Sequence, residues 1–170
     1  MKGSTIIMFG FVLIFSVSSI LVHADFPRIS AECREKSNLR DEQYSKLVMK
    51  DIITSFNLDL EDNGFIEVTD RDLDAANLIY GGNVNDGHYQ SLNQHFNVAS
   101  RGLPKLYVRP MESYFLYKTF DHTNVMIHLK LKGSQWEVIE QKKKKGNDIK
   151  YTLLKCEKEY LKKKKKYYLK

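Results

Sequence analysis

Two kinds of residue in this 170-residue chain have types and spacing suited to chemistry: clustered lysines and a lone pair of cysteines. Lys142, Lys143, Lys144 and Lys145 form one cationic run, and Lys162, Lys163, Lys164, Lys165 and Lys166 form a second. Such runs attract phosphates on nucleic acid, anionic lipid or acidic protein. Tyr160, Tyr167 and Tyr168 flank the second run and offer stacking or interfacial contacts. The same runs also read as a solvated turn and a charged chain end. Cys33 and Cys156 stand far apart in the sequence. In an oxidising route two thiols pair, and a loop this long stabilises by roughly 4–5 kcal/mol in the chain-entropy picture. The alternative is two buried thiols.

Asp59-Leu-Glu-Asp-Asn-Gly-Phe-Ile-Glu-Val-Thr-Asp70 follows the spacing of an EF-hand loop. Asp59, Glu61 and Asn63 occupy its first three side-chain ligand positions, Gly64 the sharp turn, and Asp70 the last position. Glu61 is long where Asp or Asn is usual, and Asp70 replaces a bidentate Glu, so Ca2+ binding here would be weak. The other reading is an acidic turn between a helix and a strand. Four histidines lie beyond residue 24, His88, His95, His122 and His128, and none falls in a zinc-binding spacing. No Gly-x-Ser-x-Gly elbow or phosphate loop is present, so the chain is not expected to be an enzyme. No further cofactor is implied.

These residues must be positioned by what surrounds them. Lys2 precedes an apolar run from Ile6 to Val22, and Val22-His23-Ala24 suits cleavage before Asp25. Residues 1–24 therefore read as a secretory signal peptide, the rival being an uncleaved anchor. No later segment is apolar enough to span a bilayer, so the mature chain has no transmembrane segment and its expected location is secreted. Residues 25–157 form one α+β domain and residues 158–170 a lysine-rich tail. From Lys142 onward thirteen lysines oppose Asp148, Glu157 and Glu159, which leaves the body before them net acidic.

Within the domain, Asn38–Asn57 has helical spacing of Tyr44, Leu47, Val48, Ile52 and Phe56, with Asn57 as its stop. Asp59–Gly102 is turn-rich, with Gly81-Gly82 and Asn85-Asp86-Gly87 as turn signals. Phe65–Val68 and His95–Ala99 suit short strands there, and Asp70–Ile79 suits a brief helix. Lys105–Arg109, Tyr114–Phe120 and Val125–Leu131 read as strands, the last alternating strictly with His128 on its wet face. Gly133-Ser134 turns the chain into a partner strand carrying Trp136 and Val138. Lys142–Asp148 then reads as a charged turn and Ile149–Cys156 as a fourth strand of this run. The expected architecture is an N-terminal helix packed on an antiparallel β-meander in a single domain.

Val68-Thr-Asp-Arg-Asp-Leu73, Tyr107-Val-Arg-Pro-Met-Glu-Ser-Tyr114-Phe-Leu-Tyr-Lys118 and Asp121-His-Thr-Asn-Val-Met-Ile127 share a pattern. It resembles the FAINT domain, a repeat abundant in secreted proteins of Theileria parasites. The resemblance covers about residues 65–140 and departs from the family where His128 follows the apolar strand in place of Trp. It implies a parasite protein released into the host cell or onto the parasite surface, and it transfers no site residues. The helix-and-meander outline is also similar to cystatin inhibitors, although their Gln-x-Val-x-Gly loop is absent. The function expected is that of a secreted non-catalytic effector or surface protein. It would act by binding an unknown protein or anionic surface, nucleic acid being the weaker option. A calcium module at 59–70 and a cystatin-like inhibitor are the alternatives.

Overall fold

The computed structural model describes residues 26–79 and 87–169. Residues 1–24, read above as a signal peptide, and the Gly81–Asp86 turn signals lie outside them. The first element, α1 (Ala31–Phe56), starts two turns earlier than its apolar periodicity suggests. Ser30 caps it, its Oγ accepting from the Cys33 amide at 3.2 Å. Residues 31–37 are mostly charged, so they show no stripe, yet Cys33 and Ser37 are buried. Asn57 ends the helix in the left-handed conformation (φ 53°, ψ 47°), its N–H meeting the Ile53 and Thr54 carbonyls.

A five-stranded antiparallel meander follows, in spatial order β1 (Ile66–Val68), β2 (Lys105–Arg109), β3 (Glu112–Lys118), β4 (Thr123–Lys132) and β5 (Gln135–Lys145). Between β1 and β2 lie α2 (Asp70–Ile79), α3 (Gly87–Asn93) and a 3-10 turn over Gln94–Phe96. The last element is α4 (Lys155–Tyr168). The chain is thus α+β, an N-terminal helix on an antiparallel meander.

Four local expectations are corrected. First, β4 has no wet face at its start. Val125, Ile127 and Leu129 pack with Leu92, Leu106 and Phe115 beneath α3, while Met126 and Leu116 on the opposite face pack against Val48, Met49 and Ile52 of α1. The sheet is covered on both sides, and α1 takes the side that reads as polar. His128 is mostly covered and bonded to Glu112 at 2.6 Å. Second, Leu47 is 55 % exposed, and Met49 takes its place in the buried stripe. Third, Lys142–Lys145 belong to β5 and not to a turn, because β4 offers partners as far back as Thr123, which pairs with Lys145. Residues 149–154 are irregular, and Lys155 starts a helix where a strand was expected. Fourth, His95 falls in the 3-10 turn, and residues 97–100 are irregular.

Candidate functional site

The sheet and α1 build two very different surroundings for the two lysine runs. In β5, an edge strand, the run is partly tied down. Lys142 pairs with Glu140 at 2.9 Å, Lys144 donates to the Ser55 carbonyl at 2.7 Å, and Lys145 donates to the Asp121 carbonyl at 2.6 Å. Helix α1 has no basic residue in its last turn. Lys144 therefore supplies, from another strand, the cation that a helix C-terminus favours, and it also sits over the Phe56 ring at 5.4 Å. Half of this run serves the fold, and lysines along an edge also discourage pairing with another sheet.

The second run lies in α4, a formed helix where a tail was expected. Its first turn is fastened to the first turns of α1. Cys156 is joined to Cys33 (Cα–Cα 6.1 Å). One residue on, Glu157 accepts from the Arg40 guanidinium at 2.8 Å and from Ser37 Oγ at 2.8 Å. It also reaches back to the N-cap, accepting from the Leu154 amide at 2.7 Å, while the Leu154 side chain offers no acceptor in return. The Arg40 hydrogen bond dominates and holds the Glu157 carboxyl down to about 2. Arg40 is spread further over Asp41 and the Tyr151 hydroxyl, and lies 4.5 Å from the Tyr151 ring.

Toward the body α4 turns Cys156, Glu157, Tyr160 and Lys164, all partly covered, at the spacing of one helical face. Lys164 lies 5.9 Å from the Tyr160 ring. Lys155, Lys158, Lys162, Lys163, Lys165 and Lys166 are exposed, with Glu159 alone opposing them. At the far end Tyr167 and Tyr168 pack edge-on to Phe26, with centroids 5.4 and 6.2 Å away. The structure does not merge the two runs. Lys144 meets the last turn of α1 and α4 meets the first, and at 1.5 Å per residue these contacts are roughly 30 Å apart.

Residues 59–65 of the calcium reading link α1 to β1. Asn63 donates its amide to the Asp59 carbonyl at 2.5 Å, and Gly64 (φ +72°) turns the chain into β1. After that strand Asp70 starts α2, where it accepts from the Arg71 amide at 2.9 Å. No three His, Cys, Asp or Glu side chains among the described residues form a metal-binding group. Of the histidines, His122 faces Arg101 and Asp148, His128 stacks on Tyr114 at 4.4 Å, and His95 has a buried Nε2 with no hydrogen-bond partner. Burial lowers the His95 pKa.

Sequence reading missed one buried polar cluster. Lys118 is 0 % exposed and donates to Asp51 of α1 at 2.6 Å. Asn124 donates to the same carboxylate at 2.8 Å, and the Asn147 backbone at 3.2 Å. Burial pushes the Asp51 carboxyl up, but the bonds from Lys118, Asn124 and Asn147 outweigh it and hold the pKa below its ordinary value. Gly146 is needed beside them, since a Cβ there would sit 2.5 Å from Asp51 Oδ2. This cluster clamps α1 and the strand-to-α4 connection onto the sheet. No run or period marks it in the sequence.

Comparison with family models, with curated proteins and with solved structures found no match to this chain.

Proposed function

We propose that the chain is a secreted, non-catalytic binding protein that presents α4 to an acidic partner. The observation that carries this reading is the anchoring of α4. Six exposed lysines sit on a helix fixed to the body by Cys33–Cys156 and by Arg40–Glu157, so they form a preorganised cationic surface. Export is supported by the disulfide, which belongs to an oxidising compartment, and by the apolar leader. No helix among the described residues is long and apolar enough to cross a membrane. The resemblance of residues 65–140 to FAINT domains supports a host-facing setting for a parasite effector or surface protein.

The test is retention on heparin of residues 25–170 in oxidised form. The log of the apparent affinity should fall linearly with log salt, and K162Q/K163Q/K166Q should elute at clearly lower salt. Elution unchanged by that triple variant would remove α4 as the binding surface.

A further inference from the structure

We propose that the acidic partner of α4 is the surface of an anionic bilayer, onto which the helix docks by its C-terminal end. The inference rests on the binding role proposed above and names its partner. Three observations carry it.

The cationic helix ends in exposed apolar side chains. Tyr168 is 62 % exposed and Leu169 75 %, Phe26 beside them is 46 % exposed, and Leu161, two turns back on the Tyr168 face, is also 46 % exposed. Aliphatic groups in such a place gain nothing from a polyphosphate groove, but they insert readily at the boundary between headgroups and acyl chains. The rings of Phe26, Tyr167 and Tyr168 brace one another edge to face, so the tip is shaped before it meets a surface.

The charge is of the kind that suits a lipid field. Helix α4 carries no arginine, the residue that matches nucleic-acid phosphates in paired hydrogen bonds. Arg40, which bonds to α4, is already occupied by Glu157 and Tyr151. Lysine ammoniums on flexible stems act as point charges. They can stay at headgroup level while their methylenes lie along the apolar boundary.

The molecule is also polarised. Residues 155–170 carry eight lysines against Glu157 and Glu159, while the body before them, with the β5 lysines counted in, is close to neutral, so a negative surface draws α4 most strongly. That asymmetry favours one orientation, with α4 toward the lipid.

The experiment compares binding of oxidised residues 25–170 to three polyanion probes. Residues 1–24 are omitted because an apolar leader would bind lipid by itself, and every contact of the fold described above lies within 26–169. The probes are phosphatidylcholine vesicles with and without phosphatidylserine (roughly one part in four), heparin, and duplex DNA. Sedimentation should show binding only to the phosphatidylserine vesicles. K162Q/K163Q/K166Q should weaken that binding by about 100-fold, at the usual contribution of each lysine near such a surface. F26S/Y168S/L169S should weaken vesicle binding by about tenfold or more and leave heparin elution unchanged. Circular dichroism of each variant checks that the fold is intact. Binding to heparin or DNA without binding to vesicles overturns the bilayer proposal and leaves the acidic-partner reading standing. So does a tip variant that sediments with vesicles as the parent does. Binding to none of the probes overturns both.

Discussion

Glu157 at the start of α4 accepts a charge-assisted hydrogen bond from Arg40 of α1, 117 positions earlier in the chain, one residue beyond the disulfide. A covalent bond and an ion pair thus share a single junction, and the lysine-bearing helix depends on both.

The ion pair sets a pH dependence. The Glu157 carboxyl is held at about 2 against an ordinary 4.5. A depressed carboxylate stabilises the fold above its unfolded pKa, and that contribution fades as pH falls from about 4.5 toward 2. Discounted for solvent at this junction, Glu157→Gln should cost about 1–2 kcal/mol at neutral pH. Urea unfolding with the disulfide intact should show the parent and the variant converging as pH drops to about 2, the folded-state pKa. A gap that stays constant over that range would remove the linkage.

The disulfide should matter more. C33S/C156S removes a closure spanning 123 positions and should lower stability by about 2–5 kcal/mol. Hydrogen exchange should then be fastest in residues 155–168, because little else fastens α4 to α1 beyond Arg40, Ser37 and the Phe26 contacts. Uniform acceleration across the sheet instead would mean that the body, too, leans on this bond.

Lys118→Met leaves Asp51 buried without its cation and should cost about 3–5 kcal/mol in urea unfolding. The double variant D51N/K118M should recover much of that loss, since no charge is then left uncompensated. If the double variant is as unstable as the sum of the singles, the pair is not the unit described here.

Calcium should leave stability untouched. A site with a dissociation constant of about 10 µM would add about 2.7 kcal/mol at 1 mM calcium. Because no three His, Cys, Asp or Glu side chains among the described residues form a metal-binding group, no rise in melting temperature is expected at that concentration. A rise would show that the loop rearranges around the ion.

What was legible in the sequence depends on whether one short segment carried its own reason for its shape. The meander was legible because Val125, Ile127 and Leu129 alternate, and because Pro110 and Gly133-Ser134 mark turns. The Asp70–Ile79 helix and the left-handed stop at Asn57 were legible for similarly local reasons. The pairing of Cys33 with Cys156 followed from there being two cysteines in a chain expected to enter an oxidising route. Contacts made across the fold were not legible. Residues 31–37 are helical because Ser30 caps them and Glu157 reaches Ser37, and neither partner shows as a period. Lys142–Lys145 form strand because β4 continues beside them and two of their ammoniums find carbonyls. The buried Lys118 is paired with Asp51, 67 positions away, and no local signal marks that partner. In the candidate site, the lysines were visible from composition, but their mounting on a helix bonded to α1 was not.

The packing of Phe26 against Tyr167 and Tyr168 has a practical side. It gathers the first described residue and the end of the last helix at one pole, the pole proposed to touch lipid. An epitope tag or fluorescent fusion at either terminus would sit on the face under study. The exposed Gly133–Ser134 turn, at the far end of β4 from Thr123, is the better place for a label.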